Sequence, residues 1–243
     1  MASRLEIVRF LDDLTRKDEF KDYTNNGLQV QGCEEVHKIG FAVDACLQTF
    51  EELQDCQMII CHHGMWWPAM DRCTGTEHAR LKFLLDRNIN VYGSHLPLDA
   101  HPQYGNNVQI LKALGLEPQD KFGEVGWYAK TELPRSALMD RINELFHGNV
   151  RYLTFGEEKI TRAAVCSGGG GSEHMVKAME HGADFYITGE AHHDIYHKAK
   201  EMKMNVCLAG HYYTEIFGVQ ALMPVLEETC GVETRFAEIP TGF

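Results

Sequence analysis

The sequence contains no C-x-x-C pair, although it carries eight cysteines. Zinc-ribbon sites and dithiol redox sites need such closely spaced thiols, so both classes of site are excluded. The N-terminal stretch also lacks the continuous apolar run and the small-residue cleavage site of a signal peptide. We therefore expect a cytoplasmic protein whose thiols stay reduced.

Long apolar runs and an excess of positive charge are lacking as well. No stretch approaches the ~20 apolar residues that a membrane span requires. The formal net charge is −12, whereas nucleic-acid-binding proteins normally carry the opposite balance because they attract a polyanion. We therefore expect neither a membrane nor a nucleic acid as partner. A small anionic substrate stays compatible with this charge, because bound metal cations reverse the field inside a pocket.

The arrangement of apolar residues predicts an α/β fold. The 243 residues, 44% of them hydrophobic, suffice for one large domain or two modest ones. Short apolar runs alternate with amphipathic stretches, which is typical of sheets covered by helices. Strands are predicted at Lys38–Val43, Gln57–Cys61, Ile89–Gly93, Val150–Phe155, Thr161–Cys166, Asp184–Thr188 and Asn205–Ala209. Helices are predicted at Arg4–Leu14, Ala45–Leu53, Glu77–Arg87, Asn107–Leu114, Arg135–Phe146, Glu173–His181, His193–Lys203 and Thr214–Glu228.

The two halves of the chain resemble each other in one short pattern. A strand that starts near an aspartate and leads to a His-His pair occurs twice, as DCQMIICHH at 55–63 and as DFYITGEAHH at 184–193. This echo predicts two related α/β lobes that meet near Gly123–Pro134. We assign residues 1–125 to the N-terminal lobe and residues 126–243 to the C-terminal lobe.

Histidines and carboxylates follow three of the predicted strands. His62 and His63 come directly after one strand, Asp99 follows a second, and His211 follows a third with Glu215 four residues further on. Ligand sites in α/β sheets form beyond the carboxyl ends of strands. An imidazole and a carboxylate at i and i+4 point the same way if the last helix begins a turn early. Each feature alone is typical of solvated side chains, but together they predict a site for zinc, iron, manganese or nickel.

Four blocks of sequence resemble the signature blocks of the Ngg1-interacting-factor-three-like family. They are DYTNNGLQVQG (22–32), IICHHGMWW (59–67), GSHLPLDAHPQYGNN (93–107) and AGHYYTEIFGVQAL (209–222). Members of the family are often named GTP cyclohydrolase 1 type 2 homologs. The resemblance implies a dinuclear metal centre in the cleft between two α/β lobes. It also implies a homohexamer built from dimers, with the metal sites facing an internal cavity.

The resemblance implies a ligand set that agrees with the one reached from spacing. Two divalent ions per chain (zinc, iron or manganese) would be held by His62, His63, Asp99, His211 and Glu215. His95 and His101 flank the aspartate, and we expect them to orient a metal-ligated water or the substrate. The alternative for both is an ordinary hydrogen-bonded loop histidine.

The sequence allows two alternative roles for each of two further segments. The glycine run CSGGGGS (166–172), in which Ser172 is expected to cap the following helix, exposes backbone N–H groups that would hold a phosphate. Close packing of that backbone against the other lobe is the alternative. The segment Gly189–Asp194, with His192 and His193, competes as a source of metal ligands. The resemblance instead implies that this segment lies beside the cavity, outside the ligand set.

Aromatic and amide side chains near the predicted ligands have simpler interpretations. Trp66 and Trp67 follow the HHG block. They would either stack on a substrate base or, as we expect, pack in the core. Asn106 and Asn107 are expected to cap the helix that follows them.

The predicted metal site favours a metal-dependent hydrolase that acts on a nucleotide, in the manner of a GTP cyclohydrolase type 2, because two ions activate water and clamp a phosphate. Non-catalytic storage or delivery of iron or zinc would use the same ligands without a substrate pocket. A protein-interaction or regulatory factor, the third alternative, needs a large exposed apolar patch, and the sequence shows no obvious one.

Overall fold

The computed structural model describes residues 2–67 and 72–243 and has a mixed α/β fold. Its strands are β1 (Ala2–Ser3), β2 (Gly27–Val30), β3 (Glu35–Val36), β4 (Lys38–Asp44), β5 (Met58–His63), β6 (Asn90–Gly93), β7 (Asp120–Phe122), β8 (Gly126–Pro134), β9 (Arg151–Thr154), β10 (Lys159–Cys166), β11 (Phe185–Thr188), β12 (Asn205–Leu208) and β13 (Glu233–Phe236). Its helices are α1 (Arg4–Thr15), α2 (Leu47–Glu52), α3 (Gly75–Asp86), α4 (Leu96–Asp99), α5 (Asn106–Ala113), α6 (Arg135–Leu145), α7 (Gly171–Glu180), α8 (Ile195–Met202) and α9 (His211–Cys230).

The chain divides into two compact units that are not consecutive halves. The first unit comprises Met1–Leu98 and Val219–Ile239, and the second comprises Asp99–Gly218 and Pro240–Phe243. The division falls within the helix α9. The lobe boundaries proposed from the sequence stay a prediction, which limited proteolysis of the folded chain would test.

The first unit contains a five-stranded sheet in the order β13-β4-β5-β6-β2. Its first four strands are parallel, and β2 pairs antiparallel to β6 at the edge. The central strand β5 reads MIICHH, and all its residues except the last are buried. Such a continuous apolar run is typical of a parallel strand that is covered on both faces. Phe50, Leu53 and Leu84 belong to the same buried cluster as β5 residues.

The second unit contains a six-stranded sheet in the order β7-β8-β10-β11-β12-β9. Only β10, β11 and β12 are parallel to one another, whereas β8 and β9 flank them in antiparallel orientation. Ile187 of β11 and Cys207 of β12 lie in the buried core, together with Leu138 and Ile142 of α6. Each sheet thus has a parallel centre, and the carboxyl ends of its parallel strands meet at one edge.

The two strands of the sequence echo occupy equivalent places in the two sheets. The strands β5 and β11 are each the middle strand of a parallel trio. Each trio is connected in the order strand, helix, strand, helix, strand, through α2 and α3 in one sheet and α7 and α8 in the other. Both His-His pairs therefore follow the same topological position.

All the predicted strands and helices are present, with ends that shift by at most three residues. One local prediction was wrong. The N-cap of α7 is Gly170, and the Ser172 hydroxyl instead donates to Asp194 Oδ2 at 2.5 Å. The strand β8, which was not predicted, lies in the segment where the two lobes are expected to meet, and its second half alternates exposed polar residues with partly buried ones. Within the described ranges, no helix has the length and apolar character to cross a membrane.

Candidate metal centre

Three histidines of the first unit lie close together at the carboxyl ends of its parallel strands. His62 and His63 are the last residues of β5, and His95 comes two residues after β6. One ring nitrogen of each histidine lies within 4.8 Å of those of the other two. The ring centroid of His62 is 4.9 Å from that of His63 and 5.1 Å from that of His95. The first unit therefore gathers three imidazoles, a donor type that suits zinc and iron.

Hydrogen bonds fix the rings of His62 and His63 in one tautomer. The Nδ1 atom of His62 is 3.0 Å from the carbonyl oxygen of Ser94, and that of His63 is 2.8 Å from Asp44 Oδ1. Carbonyl and carboxylate oxygens only accept, so each Nδ1 carries a proton and Nε2 is the ring nitrogen that could serve as a metal ligand. Metal-ligating histidines are commonly held in this way. Both rings are therefore prepared to bind a metal through Nε2.

Asp22 holds His95 in the same manner, a role that its place in the sequence does not reveal. Its Oδ1 is 2.9 Å from His95 Nδ1, while Oδ2 accepts from the Asn26 side chain and from the backbone N–H of Leu96. Burial acts to raise the pKa of Asp22, but the hydrogen bonds from His95 and Asn26 outweigh it and lower this pKa to about 2. Asp22 is therefore an ionised carboxylate that orients the His95 ring.

Trp67 lies beside these histidines and not in the core, so that prediction was wrong for this residue. Its ring centroid is 4.9 Å from that of His95 and 5.7 Å from that of His63. Its Nε1–H donates to the carbonyl oxygen of Gly64 at 2.8 Å, and the residue is 46% exposed. Trp66 does pack against the core of the first unit, as predicted. Trp67 therefore presents a fixed, half-exposed indole next to the imidazoles.

His211 and Glu215 form a pair on the first turns of α9, in the second unit. Because α9 begins at His211, the predicted i and i+4 geometry is present, with His211 Nε2 3.2 Å from Glu215 Oε2. The Nδ1 of His211 is 2.9 Å from Glu190 Oε1. Burial acts to lower the pKa of His211, but the hydrogen bonds and charges of Glu215 and Glu190 outweigh it and raise this pKa to about 9. The geometry of the pair is thus confirmed, and its metal binding stays a prediction.

Buried amide side chains fix the carboxylate of Asp99. Its Oδ1 accepts from the Asn106 side chain at 2.8 Å and from the Ser167 hydroxyl at 3.0 Å. Asn107 accepts from the backbone N–H of Ser167 at 2.7 Å. The N-cap of α5 is Gly105, so the prediction that the two asparagines cap this helix was wrong. Both are fully buried in its first turn, where their amides organise the surroundings of Asp99.

The glycine turn after β10 passes directly beside the His211–Glu215 pair. A Cβ atom at Gly168 would collide with Glu215 Oε1 and lie 3.1 Å from His211 Nε2. Gly168 also has a φ of +60° and donates its N–H to the Thr214 hydroxyl at 2.9 Å. The turn therefore packs closely against α9 inside the second unit, whereas the expected packing against the other lobe stays a prediction. Phosphate binding by the turn stays a prediction.

The remaining candidate histidines are bonded differently. The Nδ1 of His101 accepts from the backbone N–H groups of Gln103 and Tyr104 at 3.1 and 3.0 Å, so the neutral ring carries its proton on Nε2. This favours the alternative of a hydrogen-bonded loop histidine. His192 and His193 are exposed, and neither belongs to a cluster of possible metal ligands in the part of the chain that the structure describes.

The sequence reasoning did not assign a ring-orienting role to any of three carboxylates that contact histidine rings. They are Asp22, Asp44 and Glu190. Asp44 ends β4 and Glu190 lies two residues beyond β11, so a survey of carboxylates at every strand end would have found both. Asp22 follows no strand, and only the folded chain brings it to a histidine 73 residues away.

Comparison with known proteins agrees with this architecture over nearly the whole chain. The model of the family Duf34/NIF3 (NGG1p interacting factor 3) matches residues 2–241. The chain belongs to the Duf34/NIF3 family. The protein named GTP cyclohydrolase 1 type 2 homolog of Archaeoglobus fulgidus is 43% identical over 244 residues, which cover 98% of each chain. The protein of the same name from Pyrococcus abyssi is 43% identical over 249 residues, 98% of this chain and 99% of the relative.

Solved structures of similar proteins confirm the mixed α/β fold of this Duf34/NIF3 chain. A protein from Thermus thermophilus has a TM-score of 0.92 and 34% identity, with 99% of this chain and 100% of that chain covered. The protein described as reduced HcgD from Methanocaldococcus jannaschii has a TM-score of 0.87 and 25% identity, with 98% of each chain covered. The family resemblance of the four sequence blocks is therefore confirmed.

Proposed function

We propose that this Duf34/NIF3 chain is a metal-dependent hydrolase that acts on a nucleotide. Two divalent ions, of zinc, iron or manganese, would be held by His62, His63, Asp99, His211 and Glu215. The family resemblance supports this centre, because it implies a dinuclear site in the cleft between two α/β lobes. The chemistry of these side chains fits such ions, because imidazole with carboxylate is their usual donor set.

The observation that carries the proposal is the hydrogen bonding of the histidine rings. The Nδ1 atoms of His62, His63 and His211 each face an oxygen acceptor within 3.0 Å. A solvated surface histidine needs no such restraint, whereas a metal ligand gains orientation and basicity from it. The restraints lie on three different chain segments, so one local cause does not explain them.

Divalent ions at these residues would supply Lewis acidity, which makes water a nucleophile at neutral pH and offsets phosphate charge. The protein residues hold and orient the reacting groups. Glu215 and Asp99, 3% and 4% exposed, keep carboxylate oxygens in a largely water-excluded setting, where charge interactions are stronger. Trp67 offers an exposed indole on which a planar base would stack.

Two features support a nucleotide as the substrate. The relatives named GTP cyclohydrolase 1 type 2 homolog match the chain over almost its full length. The half-exposed Trp67 beside His63 and His95 supplies an aromatic surface next to the proposed ions. The base of a purine nucleotide would thus stack on the Trp67 indole, and its phosphates would contact the proposed ions beside it.

Metal analysis combined with a nucleotide panel tests the proposal. The full chain is loaded with zinc, iron or manganese, its ions are counted by elemental analysis, and turnover of GTP and other nucleotides is measured. We expect two ions per chain and turnover of one nucleotide, both reduced in His63→Ala. His78→Ala is the matched control, because this exposed histidine of α3 lies outside the candidate ligand clusters found among the described residues.

The same experiment separates the alternatives. Two ions without turnover, released readily to a competing chelator, would support storage or delivery of metal. Partner binding that persists in the metal-free chain would support an interaction factor. A chain that binds no ion would refute the metal centre itself.

We propose, in addition, that the chain assembles as a homohexamer built from dimers. The family resemblance supports this assembly. Light scattering on the purified chain should then give six times the 27.6 kDa of one chain. A monomer at working concentrations would refute the assembly and leave the metal proposal intact.

A further inference from the structure

We infer that the exposed histidines His193 and His197 form a further site for a transition-metal ion, in addition to the proposed metal centre. The second His-His pair of the sequence echo has no role in that centre. His193 belongs to this pair, and His197 lies four residues further on, in α8. The inference does not rest on the proposed function, because the two histidines are not among the five proposed ligands.

The backbone brings the two imidazoles to the same side of one helical turn. Asp194, the N-cap of α8, has helical φ and ψ angles of −62° and −25°, and the N–H of Tyr196 donates to the carbonyl oxygen of His193. His193 therefore lies on a turn that continues into α8. Residues at i and i+4 of such a turn are neighbours, with Cβ atoms about 5–6 Å apart. This spacing lets two imidazoles bind one ion together.

The burial pattern of α8 directs both rings to solvent. Ile195 and Ala199 are buried, with 4% and 0% of their surface exposed. Each histidine lies two positions before one of them, which is a rotation of about 200° around the helix axis. His193 and His197 therefore lie on the opposite side of the helix, and both are exposed. A hydrated ion can reach them without any opening of the fold.

The two rings lie close to the separation that a shared ion requires. Their centroids are 6.0 Å apart and their planes are inclined by 76°, so the rings do not stack. Imidazoles that share an ion through metal–nitrogen bonds of about 2.0–2.1 Å have centroids about 5 Å apart. Within residues 2–67 and 72–243, neither ring has a hydrogen-bond partner that would hold it in place. Rotation of these exposed side chains therefore closes the difference.

The charged side chains beside the pair are bonded to each other. Lys198 Nζ lies 2.9 Å from Asp194 Oδ2 and donates to the Ser172 hydroxyl at 2.9 Å. The Ser172 hydroxyl donates to the same Asp194 oxygen at 2.5 Å. The lysine charge is thus offset by a carboxylate, and that carboxylate is occupied. Two imidazoles are therefore the protein donors of the site, and water completes the coordination of the ion.

This donor set selects the class of ion. Imidazole nitrogens suit copper(II), nickel(II) and zinc(II), whereas magnesium and calcium prefer oxygen donors. Copper(II) should bind most tightly of the three, in keeping with the general order of affinities for divalent metals. The partial positive charge at the start of α8 opposes a cation. The site should therefore bind more weakly than the proposed five-residue centre and release its ion readily to a chelator.

Hydrogen exchange of the full chain locates the site. Amide exchange is measured by mass spectrometry with and without nickel(II). An ion that bridges residues at i and i+4 holds the first turn of α8 closed, so peptides that cover α8 should exchange more slowly with nickel(II). His197→Ala should abolish this protection. His192→Ala is the matched control and should keep it, because residues five positions apart do not face each other on a helix.

Ion counting by equilibrium dialysis against nickel(II) gives a second readout. We expect His193→Ala and His197→Ala each to bind one ion fewer per chain than the unaltered protein. The double variant should lose no more than either single variant, because the chelate needs both imidazoles and the two substitutions are therefore not additive. Two separate losses that add up in the double variant would overturn the shared site.

The outcomes also separate this inference from the proposed function. Protection of α8 that His197→Ala removes and His192→Ala keeps would support the site. Absence of protection in the unaltered chain, or nickel counts that His197→Ala leaves unchanged, would overturn it while the proposed centre stands. A protein that loses one ion in His197→Ala and none in His63→Ala would support this site and refute the five-residue centre.

Discussion

Replacing Gly168 by alanine would test whether the position of the neighbouring Glu215 carboxylate requires a residue without a Cβ atom at position 168. The new Cβ would collide with Glu215 Oε1, and the φ of +60° would be strained in any residue other than glycine. Gly171→Ala is the matched control, because Gly171 has a φ of +57° but no atom within 4 Å of the added Cβ. The left-handed conformation costs about 1–2 kcal/mol per alanine, so we expect both variants to lose that much free energy of unfolding. Only Gly168→Ala should also displace Glu215.

Thermal unfolding and metal titration measure the two effects separately. A loss of about 1–2 kcal/mol lowers the Tm of a chain of this size by about 2–8 °C in both variants. Metal affinity should fall about 10- to 100-fold in Gly168→Ala and stay unchanged in Gly171→Ala, because only the first substitution moves a proposed ligand. Equal metal affinities in the two variants would refute the reasoning, since the collision at Glu215 would then have no effect on the site.

Three further predictions concern the second unit and the proposed metal binding. Asn106→Ala removes the amide that bonds Asp99 and the backbone N–H of Gly218, and we expect it to lower the free energy of unfolding by about 1–3 kcal/mol in urea denaturation. His211 has a pKa raised to about 9 in the metal-free chain, so its ion pair stabilises the fold below its ordinary pKa of 6.5 and that stabilisation is lost as the pH rises through 9. A metal must displace this proton, so metal affinity measured by calorimetry should rise with pH up to about 9; an affinity that is flat from pH 6.5 to 9 would contradict this. Metal at 100 times its dissociation constant should stabilise the chain by about 2.7 kcal/mol, visible as a higher Tm that a chelator reverses.

The parts of the fold that could be predicted from the sequence are those whose pattern is local. Buried parallel strands such as β5 are short continuous apolar runs, and amphipathic helices such as α1 repeat with the helical period. The strand β8 escaped prediction because polar residues such as Lys130 and Glu132 alternate along it and point to solvent. The edge strand β13, which pairs only with β4, carries an equally weak signal.

The same difference between local patterns and long-range packing explains which parts of the candidate site could be predicted. Residues at strand ends and an i, i+4 pair on one helix are visible in sequence, so the clustering of His62 with His63 and the pairing of His211 with Glu215 could be predicted. The partner of a histidine ring depends on which distant segment packs beside it. Asp22 therefore stayed unrecognised, as did the amides that surround the buried Asp99.

The bonds around Asp99 tie together stretches of chain that are far apart in sequence. Ser167 reaches it from 68 residues away, and Asn106 also accepts the N–H of Gly218 across 112 residues. A peptide fragment that keeps the local helices would lack these cross-links, so this carboxylate takes its native orientation only after long-range closure. An ion held by Asp99, as proposed, would therefore be released during gradual denaturation before the helical circular dichroism is lost, and its release would report the loss of tertiary structure.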